Sequence, residues 1–361
     1  MTMRDNFSIV IPTYNRDKYL LRILSYFAEH NYECKIVIAD SSFEEKKILN
    51  QRVVNSFSQL QIEYLSFHPD VNFYQKLADT INSVTTKYCV LCADDDFITH
   101  NSMKKCIDFL QRNPEFTAVG GYYYDFLALK RSNKKKTFYW RKYLFSSENI
   151  ENYMTITTSE PKDRLSIHFK NYFPTIYYIH RTDFLQMVYK EVLQNTSDVR
   201  FGEILLDMLT IIHGKIQTLD ILYGARESIV TSSTSMHSRL SHFVKNGTYD
   251  EKFQKFRECL VNHLIKKQEI TVQDAEKIIN DGMEAYIQNR LAVKKEETVN
   301  WFRKLARMLF IKLRYFRINV SQYRKFSFKK QIDLEKWNTS DPPKKYLDDF
   351  NDIKEIVLKM L

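Results

Sequence analysis

The chain has 361 residues, 44% of them hydrophobic and 27% charged, with a formal net charge of +10. That length suits one large domain or two smaller ones, and the apolar share is enough for a sizeable core. Only 7 glycines are present and neither GxGxxG nor GxxxxGK(S/T) occurs, which excludes the common glycine-rich phosphate loops. No long uncharged apolar span or secretory leader is visible, so the chain is expected to stay in the cytoplasm.

The basicity is local. Residues 294–330 hold 12 Lys/Arg against 2 Asp/Glu, which accounts for the whole net charge. Five scattered cysteines do not suggest a disulfide framework. Cys89 and Cys92 form a CxxC, but zinc would need a second ligand pair at similar spacing, so both read as packing.

The first buried strand spans 7–11 and is expected to stop at Pro12, which cannot donate within a central strand. Thr13 to Arg16 then form a loop, and Asp17 caps a helix over Leu20, Leu21, Ile23, Leu24 and Phe27. A second strand at 35–39 ends on Asp40-Ser41-Ser42. Helices at 44–57 and 73–84 bracket a third strand at 62–67, and a fourth strand covers 88–93. Strands alternating with helices imply a parallel, doubly wound sheet, which binds ligands at the carboxyl ends of its strands.

The fourth strand ends in Asp94-Asp95-Asp96. Continued strand geometry would point Asp94 and Asp96 to one side and Asp95 to the other. Converging carboxylates repel unless a cation lies between them. All-oxygen ligands favour Mg²⁺ or Mn²⁺, ions that commonly bridge carboxylates and substrate phosphates. The plainer alternative is an acidic turn before a helix beginning near Asn101.

A further strand spans 116–124, where Gly120-Gly121 permits close backbone approach. Residues 130–143 are basic and aromatic, with Lys130, Arg131, Lys134, Lys135, Lys136, Trp140, Arg141 and Lys142. They read as an exposed loop or hairpin, or else as a contact for an anionic acceptor or lipid headgroup. A strand at 173–179 leads into a helix opened by His180 to Asp183, where Arg181 is either a phosphate contact or a charged cap. Glu203 and Asp207 lie four apart, on one face of an amphipathic helix that ends near Gly214. A strand at 216–223 precedes a Ser/Thr-rich loop, 227–241, that contains His237.

From about 249 the pattern becomes helical, over 252–268 and 272–291. In 301–318, Arg303, Arg307, Arg314 and Arg317 share one helical face opposite Trp301, Leu305, Met308, Leu309 and Phe316. Such a helix suits an anionic membrane surface, to which four cations contribute about 4 kcal/mol. Packing on the catalytic domain is the alternative. Asp341-Pro342-Pro343 marks a turn before a last short helix.

Ser8-Ile9-Val10-Ile11-Pro12-Thr13-Tyr14-Asn15-Arg16, Ile38-Ala39-Asp40-Ser41-Ser42 and Asp94-Asp95-Asp96 together resemble family 2 glycosyltransferases of GT-A fold. The likeness is strong over 6–125 and weaker over 165–230. It implies an α/β fold with a GT-A-type mixed, mostly parallel doubly wound sheet flanked by helices, with a C-terminal helical extension. Residues 1–245 would be the catalytic domain and 246–361 a basic, mainly helical region. It further implies a nucleotide-sugar donor. Pro12, Thr13, Asn15 and Arg16 would contact the nucleoside, and Asp40 the base. Asp94 and Asp95 would lie nearer the nucleotide, and Asp96, with Asp94 and the late His237, would serve the metal. Family pattern places the catalytic base at Glu203, with Asp207 in reserve. Ala93 replaces the first aspartate of the family's usual Asp-x-Asp-Asp, so the division of labour among the three acids is open. Transfer would be inverting, onto a glycan or lipid-linked glycan acceptor of surface polysaccharide synthesis, at the inner face of the cell membrane. A sugar-phosphate nucleotidyltransferase would need a glycine-rich loop after the first strand. A nucleic-acid-binding protein would leave the acids unexplained.

Overall fold

The computed structural model describes residues 6–130, 136–142, 155–228, 249–289 and 337–361. Four apolar segments build the parallel half of the sheet: β1 (Phe7–Thr13), β2 (Lys35–Asp40), β3 (Gln61–Ser66) and β4 (Tyr88–Leu91), in the order β3-β2-β1-β4. Side chains alternate along each strand, so the sheet feeds two cores. Ile9, Ile11, Ile36, Ile38, Tyr88 and Val90 enter one, and Val10, Val37, Cys89 and Leu91 enter the other. Burial on both faces is why β1, β2 and β4 read as continuous apolar runs, whereas β3, at the edge of the sheet, is only partly buried.

Helices α1 (Asp17–Glu29), α2 (Glu44–Asn55) and α3 (Phe73–Ser83) connect these strands. Then come β5 (Phe97–Ile98), α4 (His100–Arg112), β6 (Phe116–Lys130), β7 (Lys136–Lys142), α5 (Pro161–Lys170), β8 (Ile179–Arg181), α6 (Thr182–Asn195), α7 (Val199–His213) and β9 (Lys215–Glu227). Beyond β4 the sheet continues as β8-β6-β9-β5. There β8 is antiparallel to both neighbours, while β6 and β9 are parallel. Of the basic, aromatic segment 130–143, Lys130 ends β6 and 136–142 form β7, antiparallel to β6, while 131–135 and 143 lie outside the described residues. The Lys136 ammonium and the Trp140 indole donate to carbonyls of Leu358 and Ser340.

The described C-terminal residues share both cores. α8 (Tyr249–Lys267) and α9 (272–289) contribute Phe256, Leu260, Leu264, Ala275, Ile279 and Met283 to the core that holds α3, α6 and α7. α10 (Leu347–Met360) places Phe350, Ile353, Ile356 and Val357 against the core beside α1, with Phe350 contacting the Tyr124, Phe138 and Trp140 rings. Among the described residues, no helix is long and apolar enough to cross a membrane. The basic stretch 301–318 and His237 lie outside the described residues. All five cysteines are free and buried, with Cys89 and Cys92 in opposite cores, as packing residues would be.

Several expectations need correction. Pro12 does not stop the first strand, because β1 continues to Thr13 and pairs with β2 throughout. The Val10 carbonyl accepts from Cys92 N–H on the β4 side. Two residues on, Pro12 faces that same side, where the pairing with β4 has ended; its missing donor therefore costs no hydrogen bond. Asp17 does not cap α1. It is the first helical residue and pairs with Lys46 at 2.5 Å. No strand spans 173–179; regular pairing there begins only at Ile179.

Candidate active site

Strand order brings the carboxyl ends of β1, β2 and β4 side by side; β1 ends on Thr13, β2 ends on Asp40, and β4 leads through Cys92-Ala93 into the three acids. After Leu91 the chain leaves the sheet and turns, closing an Asp96 N–H to Ala93 carbonyl bond of 3.0 Å. Strand alternation therefore does not apply to the three acids. Asp94 and Asp95 face the same arginine, and Asp96 turns toward the end of β9.

Arg16 bridges the first two, reaching Asp94 at 2.8 Å and Asp95 at 2.7 Å. The Thr13 hydroxyl donates to the other Asp94 oxygen at 2.7 Å. Asp96 accepts from the Glu227 N–H at 3.2 Å, and Arg226 approaches it only to 3.5 Å. Arg22 joins the Asp95 carbonyl to the Glu227 carboxylate. Burial pushes Asp94 up to about 7, against the pull of Arg16. Burial, followed by repulsion from Asp95, pushes Asp96 up to about 8, against Arg226. Asp96 is thus the least compensated of the three.

Asp40 is fully buried. It accepts from Ser42 N–H at 2.7 Å, Asn50 at 2.7 Å and the Tyr64 hydroxyl. It organises the loop after β2, which the Asn15 amide joins through Ser42 Oγ at 2.7 Å. Asn15 adopts φ 57°, a left-handed conformation that asparagine tolerates, and its side chain accepts from Phe43 N–H at 3.0 Å. These locks leave Tyr14 and Phe43 exposed, with ring centroids 5.9 Å apart.

Two residues that the sequence reading passed over complete the edge. Lys76 of α3 is 4% exposed and donates to Ser41 Oγ at 2.9 Å. Burial lowers it to about 8, although Asp40 and Asp94 pull the other way. Its signal was a lysine on the buried face of an amphipathic helix beside Leu77 and Thr80. Arg226 lies over the Tyr177 ring at 4.8 Å. Nothing local in the sequence marked it, because its position depends on β9 running past Asp96.

Glu203 stands on the second turn of α7, partly exposed and paired with Arg200 at 3.0 Å. Asp198 caps that helix through the Arg200 and Phe201 amides. Gly202 lets α7 close on α3, since a Cβ there would lie 2.2 Å from the Tyr74 ring, and the Tyr74 hydroxyl donates to the Val199 carbonyl at 2.8 Å. Asp96, Asp95 and Glu203 all lie within electrostatic reach of the Tyr177 hydroxyl. Asp207 is different. It is fully buried and accepts from Thr175 N–H and Oγ1, each at 2.7 Å, and from the Tyr172 hydroxyl. That geometry is an internal brace between α7 and the segment before β8.

Arg181 is not a phosphate contact. Its register opposite Tyr88 puts it at the amino end of β4, across the sheet from the acids. Its guanidinium donates to the carbonyls of Leu110, Asn113 and Phe116, at the end of α4.

Residues 8–170 match the family described as Glycosyl transferase family 2, a span covering β1 to α5 and therefore the ends of β1, β2 and β4 with the three acids, but neither Glu203 nor Arg226. This segment is a family 2 glycosyltransferase domain. No curated protein matches the chain. Among solved structures, S. aureus TarS 1–349 in complex with UDP-GlcNAc aligns with TM-score 0.53 at 14% identity, covering 78% of this chain and 73% of that one. At that identity the likeness shows the fold, which is GT-A. Another S. aureus TarS structure aligns with TM-score 0.46 at 14% identity over 78% of this chain and only 43% of its own length, so this chain spans less than half of it. The mannosyltransferase PcManGT from Pyrobaculum calidifontis, in complex with GDP-Man and Mn²⁺, aligns with TM-score 0.45 at 13% identity, over 87% of this chain and 82% of that one. The glycosyltransferase domain thus carries its polar groups at the edge where its fold binds ligands.

Proposed function

We propose that the enzyme transfers a sugar from a nucleoside-diphosphate donor to a hydroxyl of a glycan or lipid-linked glycan, with inversion. The observation that carries this reading is the joining of three strand ends by Thr13, Arg16, Asp40 and Asp94–Asp96 beside the buried cation Lys76. The exposed rings of Tyr14 and Phe43 offer the base a stacking surface at the rim. Asp40 acts on the base through the loop it organises, and Lys76 and Arg16 supply positive charge toward the diphosphate.

A divalent Mg²⁺ or Mn²⁺ fits best at Asp96. Its carboxyl is driven up to about 8, and its nearest cation is 3.5 Å away. Both Asp94 oxygens are already engaged by Thr13 and Arg16, which favours a nucleotide-side role for that residue over metal ligation. When bound, the ion neutralises charge developing on the leaving diphosphate. Glu203, partly exposed and free of the buried network, accepts the acceptor's proton as its hydroxyl attacks the anomeric carbon in line. Asp207 holds the helix that carries Glu203. Surface polysaccharide synthesis and peripheral attachment to an anionic membrane complete this reading, resting on family habit and on the charge of 294–330.

A thermal-shift and calorimetric screen of UDP-, GDP-, CMP- and dTDP-sugars, each with and without Mn²⁺, tests it. One donor class should bind, more tightly with the ion. No heat with any donor on a well-folded sample overturns the proposal.

A further inference from the structure

A second group of ligating side chains lies away from the donor edge, between α6 and α8. Cys259 and His263 are one helical turn apart on α8 and share a face. Both meet Glu191 of α6. Cys259 Sγ lies 3.6 Å from one Glu191 oxygen, and His263 Nε2 lies 3.5 Å from the other. One ligand atom from each residue lies within 4.8 Å of the other two.

The His263–Glu191 separation is long for an N–H···O hydrogen bond, which prefers about 2.7–3.2 Å, while the Cys259 thiol lies within S–H···O reach of the other Glu191 oxygen. Both separations match the edges of a tetrahedron around zinc, roughly 3.3–3.8 Å for bonds of about 2.0–2.3 Å. His213, the last residue of α7, fixes the imidazole, with its Nε2 2.8 Å from His263 Nδ1. When His263 donates through Nδ1, its Nε2 is a bare lone pair facing a carboxylate oxygen. Two acceptors facing each other call for a cation between them. A ring nitrogen held by a neighbour while the other faces a cation is also how metal-bound histidines are oriented.

We propose that Glu191, Cys259 and His263 bind one zinc ion that clamps α8 to α6, with His213 orienting His263 from behind. Thiolate and imidazole ligands select zinc over the hard ions Mg²⁺ and Mn²⁺, so this site is chemically distinct from the donor edge. Cys259 is 4% exposed, whereas the Glu191 and His263 side chains are partly open, which gives an ion a path from the surface. Three protein ligands leave a fourth position for water. Lys266 and Lys267 lie within electrostatic reach of His263 and weaken the affinity for a cation. The clamp joins helices that already share a core, so its effect is on stability and on the seating of α8.

The test uses the full chain, stripped with a chelator and then titrated with Zn²⁺ or Co²⁺. One equivalent of zinc should be retained and should raise Tm. One equivalent of cobalt should give a thiolate-to-metal charge-transfer band in the near ultraviolet. Asp96→Asn should leave that band in place, Cys259→Ser should abolish it, and His213→Ala should weaken zinc binding roughly tenfold or more. A wild-type protein with no thiolate band at stoichiometric cobalt overturns the proposal, whatever the variants do. So does a band that survives Cys259→Ser.

Discussion

Lys76→Met separates the charge of Lys76 from its packing. Lys76 is 4% exposed, and burial lowers its ammonium from 10.5 to about 8, so at pH 7 it is charged in both folded and unfolded chains. The difference corresponds to about 3 kcal/mol by which burying this charge weakens the fold. Methionine keeps most of the apolar stem and removes the charge. It also removes the donor to Ser41 Oγ, at a cost of about 1 kcal/mol. The Thr13 carbonyl keeps the Ser41 N–H at 3.2 Å. The variant should therefore be more stable than wild type at pH 7 by about 2 kcal/mol.

The sign of the pH dependence follows from the lowered value. Between about 8 and 10.5 the native lysine has released its proton while the unfolded one has not, so wild-type stability rises with pH in that window. From pH 7 to about 9.5 the wild type should gain about 2 kcal/mol on the variant, closing the gap. Urea denaturation at both pH values measures this. Calorimetry with the donor nucleotide should show at least roughly tenfold weaker binding, about 1.4 kcal/mol, because an anion that repays the buried charge no longer finds it. A variant that is less stable at pH 7, by an amount independent of pH, refutes the reasoning. Lys76 would then be an ordinary native-state brace.

Asp96→Asn should abolish activity and metal-dependent donor binding. It should scarcely move Tm, because the native carboxyl already sits at about 8 and an amide resembles its protonated form. Full metal-dependent binding in the variant removes Asp96 from the ion. Glu203→Gln should lower turnover by roughly a hundredfold or more while donor affinity stays near wild type. Wild-type turnover eliminates it as the base.

The parallel half of the fold was legible because β1, β2 and β4 are buried on both faces and α1 and α3 each carry an apolar face; no distant residue is needed to read 7–11, 35–39 or 88–93 as strands. The acids were legible as a cluster, since three adjacent carboxylates after a buried run have few structural uses. Their directions were not. Alternation assumes a continuing strand, and the chain turns at Ala93, so Asp94 and Asp95 share Arg16 while Asp96 meets β9.

By itself, then, the sequence determined the class of sheet, the edge at which the polar residues gather and the family-like motifs at three strand ends. Each of these is written in local order, as apolar runs and what terminates them. Tertiary structure alone decided that Lys76 and Arg226 join that edge, that Arg181 sits at the opposite one, and that Glu191, Cys259 and His263 converge. Those facts depend on pairings between residues far apart in the chain, and a local pattern carries no record of which strand or helix will lie beside it.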